Sequence, residues 1–155
     1  MLGCGVGARG GGELAGGRVV SRCGYSDDLD NLELGRWRGQ VESALRGKRG
    51  QRFLRDLIDA LDALPQKRLV KNELEEGGEV CALGALGKAR GVALDGLDTY
   101  DYEQLGSTFD IAHQLAQETM YVNDDYGSTP EQRWKMVRDW AEEHLAFAAM
   151  RGGRR

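Results

Sequence analysis

The chain contains no apolar run approaching the ~20 residues that a membrane-spanning helix requires, so neither a transmembrane segment nor a membrane partner is expected. Its opening stretch also lacks the apolar core of a secretory signal, because Arg9, Glu13 and Arg18 interrupt it. The expected compartment is the cytoplasm. Cysteine is scarce: Cys4, Cys23 and Cys81 form no CxxC, and an odd set of thiols cannot all pair. That suits a reducing compartment and leaves a zinc site without its ligand spacing. The only histidines, His113 and His144, each fall in a helical pattern beside an apolar stripe, where a lone imidazole is more often packing than chemistry. No Cys/His or Ser/His spacing matches a local catalytic motif. Catalytic residues, a cofactor and a metal are therefore not expected, and the chain reads as a non-enzyme.

Two further patterns fall short of a site. Gly84-Ala-Leu-Gly87-Lys88-Ala89 has the glycine and lysine of a phosphate loop. It places Ala82 and Ala89 where that loop needs a glycine and a hydroxyl, so close helix packing is the better reading. The acidic groups Asp27, Asp28, Asp30 and Asp124, Asp125 lack the glycine and later glutamate of a calcium loop. Helix capping explains the first group, and a loop the second.

What is present fits one globular domain with one core: 155 residues, 41% hydrophobic and 30% charged. The net charge of −4 is mild, so any nucleic-acid contact must come from a local basic patch. Residues 1–24 are crowded with glycine, including Gly10, Gly11, Gly12, Gly16 and Gly17, and hold few large apolar side chains. Such a segment cannot offset an ordering entropy of ~1–2 kcal/mol per residue, and a disordered leader is expected. A second reading makes Val19 or Val20 the true start. Residues 25–150 form the expected single helical domain, and 151–155 a loose basic tail.

Within the domain, Ser26, Asp27, Asp28 and Asp30 offer caps for a first helix carrying Leu34, Trp37, Val41 and Leu45 at spacings of three and four. A second helix, starting near Gly50, has the stripe Phe53, Leu54, Leu57, Ile58, Leu61 and Leu64. Arg52–Asp56 and Arg55–Asp59 pairs should lie on its opposite face, and Pro65 stops it. The stretch 68–83 reads as a hairpin turning at Glu75-Glu-Gly-Gly78, with Cys81 buried in its second strand. A short helix rich in small residues follows from Leu83 to Arg90. Residues 98–122 carry a helical stripe that Gly106 and Ser107 kink or split. The last helix opens on Thr129, Pro130 and Gln132, a capping box, and buries Trp134, Val137, Ala141 and Leu145. The fold class is α+β, predominantly helical, with four to six helices packed in one core beside one short hairpin. Trp37, Phe53, Leu57, Leu61 and Trp134 are the expected shared core.

One segment suggests a binding surface. Gly47-Lys48-Arg49-Gly50 joins two helices, with Arg46, Arg52 and Arg55 close by. The GxxG pattern with basic central residues, followed by apolar Phe53, resembles the loop of KH nucleic-acid-binding domains, whose backbone clamps the sugar-phosphate chain. The plainer alternative is a helix–helix turn with solvated charges.

Three stretches, Trp37–Arg55, Ala60–Leu69 and Glu79–Gly91, are similar to a group of small proteins of tailed phages and bacterial prophages. The resemblance covers about Gly24 to Ala146. It implies a phage-encoded protein acting in the bacterial cytoplasm, and carries no catalytic or binding residues with it. The expected function is a non-enzymatic phage or prophage accessory protein that binds a host or phage macromolecule, with a protein as first partner. The alternative is a nucleic-acid-binding module using Arg46, Gly47, Lys48, Arg49, Gly50, Arg52 and Arg55.

Overall fold

The computed structural model describes residues 31–152, which form six α-helices and one two-stranded antiparallel hairpin. The expected leader, the capping aspartates before Asn31 and residues 153–155 lie outside the described residues.

Helices α1 (Asn31–Arg46) and α2 (Lys48–Ala63) are joined by Gly47 alone. The stripe read from the sequence puts Phe53, Leu54, Leu57 and Leu61 wholly inside the protein. Each such side chain contributes roughly 1.5–3 kcal/mol of transfer free energy against the entropy of ordering it. Helix α2 packs on α1, on α3 (Ala82–Ala89) and on α6 (Pro130–Gly152), so it runs through the middle of the core. It stops where Leu64 becomes extended (φ −62°, ψ 134°), the conformation a residue ahead of proline prefers. Trp37 and Trp134 pack against this core at its edge, half-buried, and Trp134 Nε1 donates to the Leu61 carbonyl at 3.0 Å.

The hairpin pairs β1 (Glu75–Glu76) with β2 (Glu79–Val80), in the register Glu75 to Val80 and Glu76 to Glu79. Gly77 and Gly78 turn it at φ 59° and 82°, the positive values a type I′ turn demands of both central residues. The ladder is shorter than the span 68–83. Asn72 interrupts the extended chain at φ 67°, and its amide goes to Asp124 Oδ1 at 3.1 Å. The Leu69 amide is likewise taken by the Pro130 carbonyl at 3.0 Å. Cys81 is buried as expected, but as the N-cap of α3, where its Sγ accepts from the Gly84 amide at 3.3 Å.

The stretch 98–122 is two helices, α4 (Tyr102–Phe109) and α5 (His113–Asp125). The break falls at Asp110–Ala112, beyond the Gly106-Ser107 pair. Asp110 is left-handed (φ 56°), and the Ile111 amide folds back to the Gly106 carbonyl at 2.9 Å. Gly106 permits that reversal, since a Cβ there would lie 2.8 Å from the Ile111 oxygen.

Asp124 and Asp125, read as loop residues, instead end α5, and Asp124 is buried. Beside it, Asn123 Oδ1 accepts from the Ala82 amide at 3.0 Å, while its Nδ2 donates to the Val70 carbonyl at 3.0 Å. This polar pair ties α5 to the start of α3 and to the strand-like 69–74 segment. Helix α6 opens with the capping box read from the sequence: Thr129 Oγ1 accepts from the Gln132 amide at 3.1 Å, and Gln132 Oε1 from the Thr129 amide at 3.3 Å. It continues to Gly152, two residues into the stretch expected to be loose. Arg138 clamps it to α2 through Asp62, at 2.6 and 3.0 Å, which holds the Asp62 carboxyl below its ordinary range. Among the described residues, no helix is long and apolar enough to cross a membrane.

Candidate functional site

The corner between α1 and α2 owes its sharpness to Gly50. A Cβ at that position would stand 1.8 Å from the Ala44 carbonyl oxygen, so the end of α1 lies directly on the first turn of α2. Gly50 is therefore buried, and its α-carbon faces protein where a KH-type clamp would face phosphate. Packing explains this glycine. Gly47, in contrast, is exposed and N-caps α2 in an extended conformation, with no side chain covering the first amides of the helix. Nor do the described residues contain more sheet than the two-stranded hairpin, so the resemblance to KH domains stays confined to the four residues.

Beside this corner lies an open groove of about 620 Å³. One wall is a face of α1, Arg36, Gln40 and Ser43, which recur at spacings of four and three. Gly47, Lys48, Arg49 and Gly50 form the end, and Ile111, Ala112 and Gln114 close it from the start of α5. Helix α5 also begins without a side-chain cap, at Ala112. Two helix N-termini thus meet one groove, and each carries a partial positive charge. Among the described residues, no aromatic side chain lines it.

The cations read from the sequence divide into two sets. Arg46 Nη2 donates to Glu42 at 3.0 Å, and Arg49 Nη1 to Asp110 at 3.2 Å, so both are partly neutralised. Lys48, Arg52 and Arg55 are exposed and, among the described residues, make no ion pair; the same holds for Arg36. The Arg52–Asp56 pair expected along α2 does not form, because Asp56 is taken by Arg90 of the α3 C-terminus at 2.8 Å. Arg90 also donates to the Phe109 carbonyl at 3.0 Å, a tie between α2, α3 and α4 that outcompetes a solvated (i, i+4) pair. The expected Arg55–Asp59 pair is missing as well. Lys48, Arg52 and Arg55 stand at i, i+4 and i+7, so they form one cationic stripe about 10 Å long on the outside of α2.

A second, polar notch of about 360 Å³ shares Arg49 and Ile111 with the groove and is lined also by Glu103, Ser107, Asp110 and His113. These are residue types of acid–base chemistry. Among the described residues, however, no hydrogen bond links His113 to Ser107 or Asp110, so no nucleophile, base and orienting group are chained together. His144 lies on α6, half-buried, with Nδ1 2.8 Å from the Trp140 carbonyl, a packing role.

Glu118 of α5 is 4% exposed, and its nearest cation is Arg38 of α1 at 3.7 Å. Burial raises its pKa, and Arg38 offsets part of that rise.

Sequence reading missed Arg36, Gln40 and Ser43, although their spacing on α1 ends at the turn and could have pointed to them. Ile111, Ala112 and Gln114 carry no such signal, because only the break at Asp110 brings the start of α5 beside α2. Comparison with protein families, curated proteins and solved structures finds no match for this chain.

Proposed function

We propose that this chain is a non-enzymatic binding protein whose partner is a nucleic acid, held by its phosphate backbone along the α2 stripe and the adjoining groove. The observation that carries the reading is that Arg36 and Lys48 at the groove, and Arg52 and Arg55 farther along the same helix as Lys48, make no ion pair among the described residues of a chain whose net charge is −4. Elsewhere Arg68, Lys88, Lys135 and Arg138 face carboxylates within 4 Å, while Lys71, exposed and without an ion pair among the described residues, lies on the 69–74 segment. A stripe about 10 Å long suits successive phosphates better than a single anion. Two uncapped helix N-termini add donors of the kind that phosphate accepts. Contacts made to phosphate carry no base information, so the binding is sequence-independent.

An apolar protein partner finds less support. The large exposed apolar side chains Leu32, Tyr100 and Met136 stand singly on α1, on the segment before α4 and on α6. The phage or prophage origin rests on the resemblance of 37–55, 60–69 and 79–91 to small phage proteins, and a cytoplasmic setting follows from that origin. Fluorescence anisotropy with labelled single- and double-stranded oligonucleotides of mixed sequence tests the reading. Binding should weaken steeply with salt, at a log–log slope near −0.9 per phosphate contact on duplex or −0.7 on single strands. A failure to bind either form at low salt would remove the proposal.

A further inference from the structure

Arg49 sits on the boundary between the groove and the notch and is a wall of both. Of the two cations in the first turn of α2, Lys48 and Arg49, it is the one that a carboxylate already holds: Nη1 lies 3.2 Å from Asp110 Oδ1, with both side chains 63% exposed. An ion pair this open to solvent is readily exchanged for another anion.

Asp110 is unusual for its place. It ends α4 in the left-handed conformation at φ 56°, and its amide closes the helix on the Gly106 carbonyl. Glycine or asparagine satisfies that backbone as well as aspartate does. A carboxylate at a helix C-terminus also faces the negative end of the helix dipole, which disfavours it. Local structure therefore accounts for a small polar residue but not for the charge. The charge is accounted for by Arg49, 61 residues away in sequence, which draws the α4–α5 corner to the first turn of α2.

Resting on the proposed phosphate binding, we infer that Asp110 is a built-in competitor for the groove's ligand. Its carboxylate occupies Arg49 in the free protein, and a phosphate of the bound nucleic acid displaces it. Binding then exchanges one ion pair for another at Arg49, while Arg36, Lys48, Arg52 and Arg55 gain partners they lacked. A lone phosphate gains little from such an exchange. A chain of phosphates gains at several cations together, so Asp110 sets the selectivity of the groove for polyanions over single anions.

The test is a double-mutant cycle read by oligonucleotide binding at low salt. Asp110→Asn keeps the left-handed backbone and removes the charge; Glu103→Gln removes an equal charge from the same notch, from a residue that does not touch Arg49. Asp110→Asn should tighten binding about threefold to fivefold. Glu103→Gln should tighten it less, and the gain from Asp110→Asn should vanish in an Arg49→Met background. Inorganic phosphate should also compete better against the Asp110→Asn variant than against the wild type. Equal gains from Asp110→Asn and Glu103→Gln, or a gain that persists with Arg49→Met, would reduce Asp110 to a distant charge and overturn the inference while the proposed function stood. Absence of binding in every variant would remove both.

Discussion

The α-carbon of Gly50 and the carbonyl oxygen of Ala44 are in such close contact that a methyl group on the former would stand 1.8 Å from the latter. Helices α1 and α2 can cross at this point only while position 50 lacks a side chain. Gly50→Ala should therefore cost about 3 kcal/mol, since backbone rather than a flexible side chain must move. Gly47→Ser should instead be neutral or stabilising by a few tenths of a kcal/mol, because Gly47 is exposed and extended and serine supplies the missing cap. Urea denaturation of both variants checks this. Equal losses would mean that the two glycines serve the turn alike.

Asn123 is buried, and it answers the Ala82 amide and the Val70 carbonyl. Asn123→Ala leaves the buried Ala82 amide and the half-buried Val70 carbonyl without this partner and should cost about 2 kcal/mol. Hydrogen exchange should show the Ala82 amide losing protection in that variant before the centre of α2 does. Unchanged protection at Ala82 would contradict the role given to Asn123.

Glu118 yields a pH dependence with a definite sign. Its pKa is raised in the folded chain, so the folded state binds a proton there more tightly than the unfolded state does. The ionised carboxyl costs stability at neutral pH, and that cost fades as pH falls through the raised pKa toward the ordinary value of 4.5. Glu118→Gln should melt above the wild type at pH 7.5 by the equivalent of about 1 kcal/mol. The gap should close near pH 4.5. A gap of opposite sign would show that the Arg38 contact at 3.7 Å outweighs desolvation, and a gap independent of pH would show that ionisation of Glu118 does not set it.

Much of the fold was legible because it depends on near neighbours in sequence. The α2 stripe, the Gly77-Gly78 turn and the Thr129–Gln132 capping box each specify local geometry, and each is found. The features that were misread depend on distant partners. Asp124 is buried against the amide of Asn72, 52 residues away in sequence, and the Leu69 amide goes to the Pro130 carbonyl, 61 residues away, instead of to a longer hairpin ladder. The same limit applied to charge. Arg52 and Asp56 have ideal helical spacing, yet Arg90 arrives from α3 and takes the carboxylate, which leaves Arg52 open. The glycines of Gly47-Lys48-Arg49-Gly50 mark the segment in the sequence, and in the structure only Gly47 links the helices while 48–50 open α2. Its candidate role rests instead on the cations that tertiary pairing leaves unmatched.

The most direct measurement compares two charge-reversed proteins with the same net charge. Lys48→Glu with Arg52→Glu reverses the α2 stripe; Lys71→Glu with Lys135→Glu makes the same change at exposed positions on the 69–74 segment and α6. Oligonucleotide affinity is then followed by anisotropy from low to moderate salt. The stripe variant should lose affinity by tenfold or more, with a salt slope shallower by about 0.9 for each duplex phosphate contact removed. The control should bind within about threefold of the wild type, as expected when a charge acts only at a distance through screening salt. Equal losses in the two variants, with equal salt slopes, would show that net charge rather than the α2 stripe governs the interaction and would contradict the account.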